Sequence, residues 1–85
     1  MKLYGSLLCP DCPPVIRLFE DKGIDFEFVD ITDSIGNLKE FLGFRDVREE
    51  FDDVKANGNV GIPCLMTDDG EILFYQGIFR RYEDA

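Results

Sequence analysis

SLLCPDCPP (residues 6–14) separates two cysteines by two residues and follows each with proline, near the start of an 85-residue chain. The spacing suits three kinds of site: a redox pair, half of a metal site, or a turn holding two inert thiols. The neighbouring sequence bears on the choice. Upstream, Lys2 to Gly5 reads as a short strand leading into the cysteine loop. Downstream, VIRLFEDK (15–22) puts Val15, Leu18 and Phe19 on one helical face, and Gly23 stops that helix. DFEFVDI (25–31) alternates and is rich in strand formers. Strand, cysteine loop, helix and strand together predict a parallel pair joined by a right-handed crossover.

Further along, Ser34 is placed to cap a helix carrying Ile35, Leu38, Phe41 and Leu42, which Gly43 is expected to break or kink. Val47, Phe51 and Val54 suggest a second helical piece, ended by Asn57, Gly58 and Asn59. The acidic run DVREEFDD (46–53) reads as a solvated helix face. VGIPCLM (60–66) begins a strand, Asp69-Gly70 signals a hairpin turn, and EILFY (71–75) is the second arm. The last eight residues, IFRRYEDA, allow two helical turns at most. The predicted order is β-α-β-α-β-β with a short helical tail, a single domain over residues 1–85.

Eight Phe and three Tyr within a 45% apolar composition supply enough material for one modest core without metal or disulfide staples. The formal net charge is -9, with no histidine. Nucleic acid and anionic membrane surfaces are therefore not expected as partners, since both call for clustered Lys and Arg. The N-terminal apolar run is too short for a signal peptide, and Leu8 is not the small residue a cleavage site needs. With three cysteines and no export signal, the chain is expected to be a cytoplasmic monomer.

If a helix begins just after Cys9, the free N–H groups of its first turn favour the thiolate there, and Pro10 suits the first helical position. Cys12 would sit one turn on, within reach to close a disulfide. Pro13 and Pro14 complicate this picture, because each lacks the N–H of a helical hydrogen bond. Either the helix starts regularly only near Pro13, or its first turn is distorted. The metal alternative lacks ligands within one chain, since only Cys64 remains and zinc takes four donors. A metal or iron–sulfur carrier sharing cysteines with a partner chain stays open, as does a non-catalytic binding module.

This order of elements, with CPDC (9–12) and the later Ile62-Pro63, resembles the glutaredoxins of the thioredoxin superfamily, over about residues 1–77. The resemblance implies an α/β thioredoxin-like fold, a four-stranded mixed sheet flanked by helices. It implies a thiol–disulfide oxidoreductase in which Cys9 attacks a protein or mixed disulfide and Cys12 resolves it. It also implies a cis Pro63 beside the cysteines, with the backbone of Ile62 pairing with substrate backbone. No bound cofactor or metal is implied. The reductant would be glutathione or a thioredoxin-reductase-type flavoprotein.

The departures from the family pattern concern glutathione. Where glutaredoxins carry a cation three residues before the first cysteine, this chain has Ser6, and after Pro10 it has Asp11 in place of an aromatic. The family's Gly-Gly and following Asp are replaced by Gln76-Gly77-Ile78-Phe79. Ser6, Pro10, Gln76 and Gly77 thus mark the substrate-side positions, with the glutathione grip weakened. Cys64 reads as a small buried hydrophobe, with a third redox thiol or cluster ligand as the alternative.

Overall fold

The structure is a computed structural model and describes residues 1–84; Ala85, the last residue of the predicted tail, lies outside them. Four strands form one mixed sheet: β1 (Lys2–Gly5), β2 (Glu27–Asp30), β3 (Cys64–Met66) and β4 (Ile72–Phe74), in the order β2-β1-β3-β4. β1 runs parallel to β2 and antiparallel to β3, and β4 is antiparallel to β3. Between and after the strands come α1 (Cys12–Lys22), α2 (Ile35–Arg45), α3 (Asp52–Ala56) and α4 (Tyr75–Tyr82), with a 3-10 turn over Glu49–Phe51 ahead of α3. This is the thioredoxin-like α/β arrangement that the sequence order predicts.

Strand alternation divides the core in two. Leu3 of β1 and Leu65 of β3 face one side, where they are buried with Val15, Phe19 and Ile78 from α1 and α4. Their neighbours Tyr4 and Cys64 face the other side, with Val29, Phe41, Phe51 and Ile72. Three phenylalanines, Phe19, Phe41 and Phe51, are wholly buried. Truncating any one to alanine should cost about 3–5 kcal/mol.

Several boundaries differ from the sequence-based expectation. α2 runs through Gly43 to Arg45, because Phe41 packs in the core and Leu38, Leu42 and Phe44 pack against it on both sides of the glycine. The Ser34 cap is present, its hydroxyl accepting from the Asn37 amide at 3.0 Å. The hairpin loop spans residues 67–71 rather than two: Met66 pairs with Ile72, and Thr67 bonds both Gly70 and Glu71. Gly70 takes a positive φ of 83° there, which explains the Asp-Gly signal. The second hairpin arm ends at Phe74, and Tyr75 already begins α4, so the tail is a helix of 8 residues packed on α1. Among the described residues no helix is long and apolar enough to cross a membrane.

Candidate active site

Helix α1 begins at Cys12, two residues later than a start just after Cys9 would require. Pro13 and Pro14 account for the shift. They occupy the first helical turn, where their missing N–H groups cost nothing. Pro10 is therefore in the preceding turn and not in the helix. Of the first-turn residues, Cys12 gives its amide to the Cys9 carbonyl at 3.3 Å and the two prolines have none to give. Among the described residues, Cys12, Pro13 and Pro14 therefore leave no free N–H in that turn to favour a thiolate at Cys9.

The two thiols differ sharply in exposure. Cys9 is half-buried, whereas Cys12 is completely buried. Burial is the main cause that pushes the Cys12 thiol up to about 12; the Ser6 amide, donating to its sulfur at 3.4 Å, works against that rise, and the neighbouring Cys9 adds to it. Cys64 is also buried and also pushed up to about 12 by desolvation, which Arg48 partly offsets. It packs in the cluster beneath α2 and α3 and does not line the cleft described next.

The Ile62-Pro63 peptide bond is cis. It forms one wall of an open cleft of about 630 Å³ whose other walls carry Ser6, Leu8, Cys9, Asp11, Thr32 and Phe74. Gly61, just before it, has a φ of 100°, and a β-carbon there would stand 2.9 Å from the Phe51 ring. Only glycine fits both constraints. Among the described residues, neither the amide nor the carbonyl of Ile62 has a hydrogen-bond partner.

Of the positions singled out from sequence, Ser6, Cys9, Ile62 and Pro63 meet at this cleft, and Cys12 lies buried behind Cys9. Pro10 is exposed on the loop between the cysteines. Gln76 and Gly77 sit in the first turn of α4 and are not among the lining residues. Ser6 is only 2% exposed, and its side chain is committed. Thr32 gives its hydroxyl proton to Asp30 at 2.6 Å, so across the 2.8 Å contact between the two hydroxyls Ser6 must be the donor. The Ser6 oxygen in turn accepts from the Leu8 amide at 3.1 Å. A one-way chain thus runs from Leu8 through Ser6 and Thr32 to Asp30, tying the cysteine loop to the end of β2.

Asp30 and Thr32 were not found from sequence. The available signal was a hydroxyl two residues after an Asp at a strand end, a pairing that Asp and Thr side chains form locally. Among the described residues no three His, Cys, Asp or Glu side chains are grouped so as to hold a metal ion.

The comparisons agree with this geometry. The glutaredoxin family model matches residues 1–72. An uncharacterized protein of Haemophilus influenzae is 39% identical over 71 residues, covering 84% of this chain and 83% of that protein. No solved structure matches. The chain belongs to the glutaredoxin family of the thioredoxin superfamily.

Proposed function

We propose that this chain is a glutaredoxin-type thiol–disulfide oxidoreductase that reduces protein or mixed disulfides through Cys9 and Cys12. The observation that carries the reading is the division of exposure: a half-buried Cys9 in the wall of a cleft, with a wholly buried Cys12 behind it. In the first step the Cys9 thiolate attacks a substrate disulfide. A new bond forms from Cys9 to one substrate sulfur, and the other leaves as a thiolate that takes up a proton. In the second step Cys12 gives up its proton and attacks the Cys9 sulfur. The substrate's remaining sulfur leaves as a thiol, and a Cys9–Cys12 disulfide stays behind.

Two features support these roles. A buried resolving thiol is shielded from outside disulfides, so the first attack falls to Cys9. The unpaired amide and carbonyl of Ile62, across the cleft, offer an extended substrate a backbone pair of hydrogen bonds. The two electrons that restore the dithiol come from outside the chain, from two glutathione thiols or from a flavoprotein of the thioredoxin-reductase type. The chain itself needs no resident cofactor for this chemistry.

Single serine variants test the assignment. Cys9→Ser should lose all exchange, while Cys12→Ser should stop at a mixed disulfide on Cys9 that mass spectrometry detects. Equal residual activity in the two variants would sink the assignment. Supplying glutathione and a flavoprotein reductase in turn identifies the reductant.

A further inference from the structure

The cleft next to Cys9 is apolar where it is open. Leu8 is 83% exposed and Val60 50% exposed, and both line it, together with Val54, Ile62 and Phe74. Folding has left these side chains in water beside the candidate reactive sulfur, and exposed apolar surface that is contiguous with a cleft marks a place where another molecule docks.

The charge in the cleft has one sign. Asp11 is the only charged residue among its lining residues. The nearest cation to the Asn59–Val60 wall, Arg45, spends its guanidinium on the carbonyls of Val60 at 2.7 Å and Asn59 at 2.8 Å and on the Asp46 carboxylate. Position 6 is filled by a buried serine whose hydrogen bonds are all internal. An anionic ligand entering the cleft meets a carboxylate and no lining cation. The overall charge of -9 acts in the same direction, although screening limits its reach to roughly 8 Å at physiological salt, so Asp11 has the larger local effect.

We infer that the cleft selects a polypeptide disulfide whose cysteine is flanked by an apolar and a basic residue, over the anionic glutathione disulfide. The inference rests on the oxidoreductase reading above and names the substrate class of that same site. The apolar neighbour covers Leu8 and Val60, and the basic neighbour pairs with Asp11. A volume of about 630 Å³ has room for such side chains beside the reacting sulfurs. The chemistry is that of any disulfide here: the reduced chain takes the disulfide to two peptide thiols and ends with Cys9 bonded to Cys12.

The test uses the reduced full chain and four disulfides. Three are symmetric dimers of short peptides with leucine and lysine, leucine and glutamate, or serine and lysine beside the cysteine; the fourth is oxidised glutathione. The leucine–lysine peptide should be reduced roughly tenfold faster than the leucine–glutamate peptide and oxidised glutathione. Added salt should shrink the margin over the glutamate peptide. Leu8→Ser should erase most of the margin over the serine–lysine peptide; the side chain is exposed, so its loss leaves the core intact. Asp11→Asn should erase most of the margin over the glutamate peptide. A parallel NMR titration uses the leucine–lysine peptide with serine in place of its cysteine, and should shift the Leu8 and Val60 amide signals. Rates equal within twofold for all four disulfides overturn the selectivity and leave the oxidoreductase reading standing. Peptide binding at Leu8 and Val60 without reduction of any disulfide overturns the oxidoreductase reading and upholds the docking surface. Neither binding nor reduction overturns both.

Discussion

A β-carbon on Gly5 would stand 2.7 Å from the Cys12 sulfur, closer than any real β-carbon approaches. The last residue of β1 is thus glycine because the buried thiol occupies the space a side chain would need. The Phe28 ring, 3.3 Å from the same point, closes the way out on the other side. Gly5→Ala should therefore destabilise the fold by about 1–3 kcal/mol through overpacking. It should also slow release of the mixed disulfide, since the Cys12 sulfur is displaced, while leaving the first attack by Cys9 near its original rate. Urea titration and quenched-flow trapping of the mixed disulfide read the two effects separately. Unchanged stability together with unchanged release would contradict the packing argument.

The hydrogen-bond chain from Leu8 to Asp30 gives a second expectation. Thr32→Val removes its middle, leaving the buried Ser6 hydroxyl without an acceptor, and should cost about 1 kcal/mol. Thr32's hydroxyl and amide also hold the Asp30 carboxyl below its ordinary value. A depressed carboxyl contributes stability above the unfolded value, and loses it as pH falls through the folded one. The valine variant should therefore lose less stability than the parent on acidification below about pH 4, the ordinary carboxylate value. Denaturant midpoints at pH 7 and pH 3.5 check both parts.

Position 6 carries its own prediction. Introducing lysine there, where glutaredoxins have a cation, forces an ammonium into a 2% exposed site and breaks the chain of hydroxyls. Ser6→Lys should lower the melting temperature more than Ser6→Ala does and should not raise turnover of a glutathionylated peptide. A lysine variant that is stable and faster with glutathione would show that the loop can open to receive it.

Alkaline stability follows from the two buried thiols. Cys12 and Cys64 are both pushed up to about 12 by burial, against ordinary values near 9. Above pH 9 the unfolded chain releases these protons and the folded chain keeps them. Stability should therefore be fully present below pH 9 and fall as pH rises toward 12. Each thiol adds as much as about 1.4 kcal/mol per pH unit to the slope. Cys64→Ala should remove one thiol's share. Urea titrations of parent and variant under reducing conditions between about pH 8.5 and 10 should show the flatter slope in the variant, since the tyrosines contribute equally to both.

Arg45 grips two successive carbonyls, those of Asn59 and Val60, with one planar group. A lysine offers a point charge and cannot hold both. Arg45→Lys should let the Val60 wall of the cleft move. KM for peptide disulfides should rise several-fold, while kcat with a small aliphatic disulfide stays within twofold. An equal fall in kcat with both kinds of disulfide, at unchanged KM, would point to general unfolding instead.

How far the fold was legible depends on which interactions set each part. Strand and helix order followed from local periodicity, because alternating Phe26, Phe28 and the buried face of α1 belong to single elements. The Ile62-Pro63 turn was legible only through family resemblance, since nothing local distinguishes a cis bond there. The late start of α1 was legible as one of two alternatives, because Pro13 and Pro14 lack the N–H of an interior helical residue, and the helix begins at Cys12 with both prolines in its first turn. Gly43 was overvalued as a breaker because its cost is small beside the burial of Phe41 next to it. The Asp30–Thr32–Ser6 chain joins residues far apart in sequence and leaves no periodic trace. The acceptor for Ser6 became visible only once β2 lay beside β1.

The graded burial of the three thiols also decides what a peroxide does to this protein. Of the three sulfurs only that of Cys9 is not fully buried, so an oxidant would be expected to reach it first and take it to a sulfenic acid. Cys12, whose amide bonds the Cys9 carbonyl, lies buried behind it, and on the proposed reading its thiol would condense with the sulfenic acid, expelling water and closing a disulfide. On the proposed oxidoreductase reading, that product is the one substrate turnover would leave, and the same reductant would reverse it. Damage at the half-buried sulfur would thereby be routed into the repair cycle before it advances to the irreversible sulfinic acid, while Cys64, buried with Tyr4, Phe41 and Phe51, would take no part.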